Sequence, residues 1–69
     1  MWYSVVWKNW REPLEDQRFS CDELFPPITY DTYKVLEYNH CFLTIVEGTS
    51  DIDACDKAGN IFDEYRRAL

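Results

Sequence analysis

Glycine is scarce in this chain, with two in 69 residues, and proline occurs three times. That scarcity excludes a glycine-rich phosphate cradle, a collagen-like repeat and a long flexible linker. Histidine occurs once, so chemistry that depends on clustered imidazoles has little to draw on. The three cysteines, Cys21, Cys41 and Cys55, are odd in number and widely spaced. A secreted disulfide framework uses an even set, so free thiols in a reducing compartment are expected. No apolar run approaches the ~20 residues of a bilayer span. Met1–Lys8 has neither a basic region before an apolar run nor a small-residue cleavage site, so no signal peptide is expected. The reading is a soluble, cytoplasmic protein. Bases are also few: seven Lys and Arg face thirteen Asp and Glu, a formal net charge of -6. Direct binding to nucleic acid is thereby disfavoured.

Aromatic residues are plentiful instead. Three Trp, five Tyr and four Phe make up 17% of the chain, within 46% hydrophobic residues. The length predicts one domain over residues 1–69. A chain this short buries only about 60% of the surface its unfolded form exposes. Each buried aromatic removes roughly 150–250 Å² from water, so these residues supply a rich core. Twelve cannot all be buried, and some are expected on the surface among carboxylates. Such a surface suits a protein that works by touching another macromolecule.

Trp2–Trp7 reads as a first strand, apolar on both faces and therefore central in its sheet. A polar connector follows from Lys8 to Gln17. Ser20 and Glu23 stand at capping-box spacing, and Pro26-Pro27 stops whatever begins there. A single helical turn is predicted over Cys21–Phe25. Tyr30–Tyr38 and Cys41–Val46 are β-rich runs split by Asn39-His40, which predicts a hairpin. Thr49-Ser50 then offers a hydroxyl cap, with Asp51 and Asp53 in the first turn of a helix. Ile52, Cys55, Ala58, Gly59, Phe62, Tyr65 and Leu69 form its predicted apolar stripe, with Arg66 and Arg67 in the last turn. The expected fold class is α+β: a three-stranded antiparallel sheet with one C-terminal amphipathic helix across one face. The other face is left for binding or for a homodimer.

Catalytic constellations are missing. His40 and Cys41 are adjacent, and adjacent strand residues point to opposite faces. Cys21, His40, Cys41 and Cys55 are too scattered for zinc. Counting a calcium loop from Asp51 places Asp56 and Phe62 where glycine and glutamate are required. The expectation is a non-enzyme with no cofactor and no metal.

Acids are the remaining signal. Glu12, Glu15, Asp16, Asp22, Glu23 and Asp31 surround only Arg18, and a second group runs from Glu47 to Glu64. Asp53, Asp56, Asn60, Asp63 and Arg67 share one side of the predicted helix. Carboxylates one turn apart lie ~5–6 Å from each other, comparable to phosphates along a strand. Such a face can occupy a basic groove and steer fast association with it. In size, charge and organisation the chain resembles small phage-encoded acidic inhibitors of host defence, the anti-CRISPR proteins among them. That resemblance implies a host protein or ribonucleoprotein partner with a basic surface, met in the host cytoplasm. Trp10, Tyr30 and Tyr33 are the candidate aromatic contacts, beside Asp53, Asp56, Asp63 and Glu64. The alternative is a small structural or regulatory subunit, antitoxin-like, whose open sheet face forms a homodimer or a stable complex.

Overall fold

A computed structural model describes residues 1–8 and 19–69, with the side chain of Tyr38 left out. Four strands and one helix follow in order: β1 (Trp2–Trp7), β2 (Phe19–Leu24), β3 (Leu36–Tyr38), β4 (Cys41–Glu47) and α1 (Asp51–Arg67). The strands form one antiparallel sheet in the order β2-β1-β4-β3. The architecture is α+β, with four strands where three were expected.

β1 is interior, as its two apolar faces predict. Tyr3, Val5 and Trp7 point to the helix side, opposite Val46, Thr44 and Phe42 of β4. Ala54, Ala58 and Phe62 of α1 close on them to form the core. Trp7, Phe42 and Phe62 are fully buried, and their rings sit 5.8–6.1 Å apart. Burying a side chain of that size contributes about 1.5–3 kcal/mol. The Arg66 guanidinium lies 5.5 Å from the Trp7 ring centroid, a cation–π contact at the rim of the core.

The added strand, β2, replaces the helical turn expected over Cys21–Phe25. Ser20 and Glu23 pair with Val6 and Tyr3 instead of capping a helix. The reason is period two: Phe19 and Cys21 face the core, while Ser20 and Asp22 alternate with them. An interior β1 needs ladder partners on both edges, and that tertiary demand overrides a local capping signal.

The Tyr30–Tyr38 strand shrinks to Leu36–Tyr38. Tyr33 adopts φ 59°, which breaks a regular ladder, although its N–H still donates to the Ile45 carbonyl at 2.8 Å. The hairpin forms as predicted. Asn39 and His40 take φ of 54° and 65°, the sign pattern of a type I′ turn, despite the poor fit of His to that region.

α1 begins with Ser50, whose Oγ accepts from the Asp53 N–H at 3.2 Å. Its buried line runs Ala54, Ala58, Phe62, of which Ala58 and Phe62 belong to the predicted stripe, while Cys55 and Tyr65 of that stripe pack half-buried against the core. Ile52 is 72% exposed, and Leu69 is exposed beyond the helix end. Small Ala54 and Ala58 set the close approach to the sheet, a role that bulkier apolar residues at these positions would prevent. Gly59 meets only the edge of the Phe19 ring, where an added Cβ would lie 3.4 Å away. Gly48 is the glycine a close approach requires: a Cβ there would meet the Ala54 nitrogen at 3.0 Å and Asp53 Oδ2 at 3.1 Å.

Candidate binding surface

β2 and β3 occupy opposite edges of the sheet, so the chain between them must cross β1 and β4. Residues 25–35 make that crossing. Tyr33 anchors its far end: its hydroxyl accepts from the Glu47 N–H at 3.2 Å, and its ring meets Trp2 edge-on at 6.1 Å. Ile45 lies on the face away from α1 yet is 3% exposed, and its carbonyl accepts from the Tyr33 N–H at 2.8 Å.

The rest of that face is only partly covered. Ser4, Leu43 and Ile45 floor a depression of about 360 Å³, walled by Leu24, Tyr30 and Leu36. Leu24 also borders a second depression of about 340 Å³, with Met1, Trp2, Phe25, Pro26, Glu23 and Glu47. The two adjoin through Leu24. Phe25 is 76% exposed, Tyr30 67% and Leu36 50%. Asp22 is exposed on the same face of β2 as Leu24, and exposed Asp31 follows Tyr30. Glu47 borders the second depression from that face, whereas Glu23 pairs with Tyr3 and leaves β2 on the helix side. An apolar centre with a polar rim is the usual anatomy of a protein–protein contact.

The candidate residues of the sequence separate on this frame. Tyr30 is in the depression. Tyr33 is held structurally, and it shares with Glu64 a groove of about 450 Å³ on the helix side, lined also by Lys34, Val35, Ile61 and Tyr65. Asp53 serves the helix start: its Oδ2 accepts from the Thr49 N–H at 2.9 Å and pairs with Lys57 at 3.3 Å. These bonds, the Thr49 backbone first, hold its carboxyl below the usual range. Asp63 pairs with Arg67 at 2.7 Å. Asp56 and Glu64 are exposed and outside the ion pairs found among the described residues. Trp10 lies outside the described residues. The helix face is thus partly neutralised by its own bases, and Asp31 beside the sheet-face depression is likewise paired, with Lys34 at 3.9 Å.

Leu24, Phe25, Leu36 and Leu43 line these depressions and were not among the candidate residues of the sequence. A period-two pattern over residues 19–24 was the available signal, and the capping-box spacing masked it. His40 sits exposed in the hairpin turn, and Cys41 donates its S–H to the Lys8 carbonyl at 3.2 Å. Among the described residues no three His, Cys, Asp or Glu side chains converge as a metal site. Among them, too, no helix is long and apolar enough to cross a membrane. Comparison with protein-family models, with curated proteins and with solved structures gave no match.

Proposed function

We propose that this chain is a non-catalytic acidic binding protein that occupies a basic surface on a nucleic-acid-handling complex, in the manner of phage-encoded inhibitors of host defence. The observation that carries the reading is the apolar surface of Leu24, Phe25, Tyr30 and Leu36, with Glu47 at its border and Asp22 exposed on the same face of β2 as Leu24. Exposed aromatics supply contact energy, and the surrounding carboxylates select a basic counterpart and speed encounter. Asp56 and Glu64 add to the long-range field from the helix side.

Competition tests it. The protein, immobilised and exposed to a lysate of the host, is expected to retain a complex that short duplex DNA displaces and that moderate salt weakens. Replacing Phe25 and Tyr30 by Ala is expected to speed release of that complex about tenfold or more. Retention indifferent to DNA overturns occupation of a nucleic-acid site, and no retention at all overturns the binding reading.

A second reading, a homodimer or antitoxin-like subunit built on the same sheet face, is favoured by the same apolar depressions. The surrounding acids weigh against it. In a two-fold interface the same patch meets itself, so carboxylate would face carboxylate.

A further inference from the structure

Cys21 and Cys55 meet across the layer between sheet and helix. Cys21 pairs with Val5 in the β1–β2 ladder, and Val5 is fully buried towards α1, so the Cys21 side chain leaves the strand on the helix side. Cys55 lies one turn before Gly59, and Gly59 packs against the ring of Phe19, two residues before Cys21. Two residues of strand advance about 6.6 Å and one helical turn advances 5.4 Å, so the contact repeats. Phe19 meets Gly59, and Cys21 meets Cys55. Cys55 is close enough to Cys21 to raise its thiol. Both residues are half-buried against the core, and both are free thiols. Neither is accounted for by the proposed contact surface, which lies on the opposite face.

We propose that Cys21 and Cys55 are a modification site, a dithiol that small-molecule disulfides convert reversibly into an intramolecular bond stapling edge strand β2 to α1. The Cys21 thiol is held up, so the Cys55 sulfur attacks first. Its thiolate displaces one thiol from the small disulfide and leaves a mixed disulfide on Cys55. The Cys21 sulfur then gives up its proton and attacks the Cys55 sulfur, and the second small thiol departs. Two protein thiols are oxidised and one small disulfide is reduced to two thiols, each taking up one proton. Burial, followed by the neighbouring Cys55 charge and S–H contact, pushes the Cys21 thiol up to about 11, with Asp51 and Asp22 adding to it. Ring closure requires the Cys21 thiolate, so alkaline pH speeds it.

The bond would close the chain from residue 21 to residue 55 into a loop, and constraint of the unfolded chain grows with loop length. Among the described strands β2 is at the edge and pairs with β1 alone, so it gains most from such a tie.

The test equilibrates the wild-type protein with glutathione disulfide, blocks remaining thiols with iodoacetamide, and follows intact mass, peptide map and melting. The expected product is a monomer lighter by two hydrogens, with the Cys21 and Cys55 peptides joined and Cys41 alkylated. Its Tm is expected to rise by about 10 °C or more, and dithiothreitol is expected to reverse both changes. A Cys41→Ser variant should behave identically. Cys21→Ala should stop at one glutathione on Cys55. A wild-type product that keeps glutathione on either sulfur, joins Cys41, links two chains or melts unchanged overturns the proposal.

Discussion

At the scale of single residues, two buried polar atoms stand out. Trp7 Nε1 and Thr44 Oγ1 have no hydrogen-bond partner among the described residues. Thr44 is the more telling, because it is fully buried in β4 between Phe42 and Val46, opposite Val5. An unsatisfied buried hydroxyl costs about 1–3 kcal/mol by mutational measures. Valine has the same shape without that cost and is a better strand former. Thr44→Val is expected to stabilise the protein by about 1 kcal/mol, read as a higher urea midpoint at unchanged slope. A loss of stability would mean that the hydroxyl has a bonding role. His40 is the opposite case, a residue tolerated at positive φ because the hairpin imposes it.

At the scale of elements, the start of α1 carries the clearest electrostatic dependence. Ser50 Oγ and Asp53 Oδ2 satisfy the N–H groups of Asp53 and Thr49, and Lys57 pairs with Asp53 while donating to the Glu47 carbonyl at 2.8 Å. That last bond ties the helix to the end of β4. The carboxyl of Asp53 titrates below its unfolded value of about 4. A depressed folded-state value means that its contribution is complete above the unfolded value and is lost as pH falls through the folded one. Melting of wild type and Asp53→Asn across acidic pH checks this. Wild type is expected to melt higher at neutral pH, with the difference closing as the solution is acidified. A difference independent of pH would assign the effect to shape instead of charge.

At the scale of the whole molecule, the sheet separates two kinds of surface. One side holds the helix and the aromatic core, and the other holds the apolar depressions, with Asp22 and Glu47 beside them. With a net charge of -6, the depressions bring like charge to like charge in any self-association. Light scattering is therefore expected to give a monomer at low ionic strength across micromolar dilutions, with any dimer appearing only as salt screens the carboxylates. A dimer that is stable at low salt and dissolved by Leu36→Asp would make this face a homodimer interface. The subunit reading would then replace the inhibitor reading.

The sequence by itself determined the elements whose signals are local and repeated. Trp2–Trp7 alternates apolar residues on both faces, so its interior place follows from burial alone. Asn39-His40 between two β runs and Ser50 before two aspartates mark a turn and a helix start through bonds made within a few residues. The acidic character is likewise a property of composition. Tertiary structure decided what depends on partners far along the chain. Phe19–Leu24 became a strand because β1 offered an open edge, a demand invisible to the Ser20–Glu23 spacing. Which helical residues are buried was settled by how closely α1 lies on the sheet, and that favoured Ala54 and Ala58 over Ile52. The contact surface depended most on topology. Leu24, Tyr30 and Leu36 come together only because β2 and β3 lie at opposite edges and the chain between them must cross the sheet.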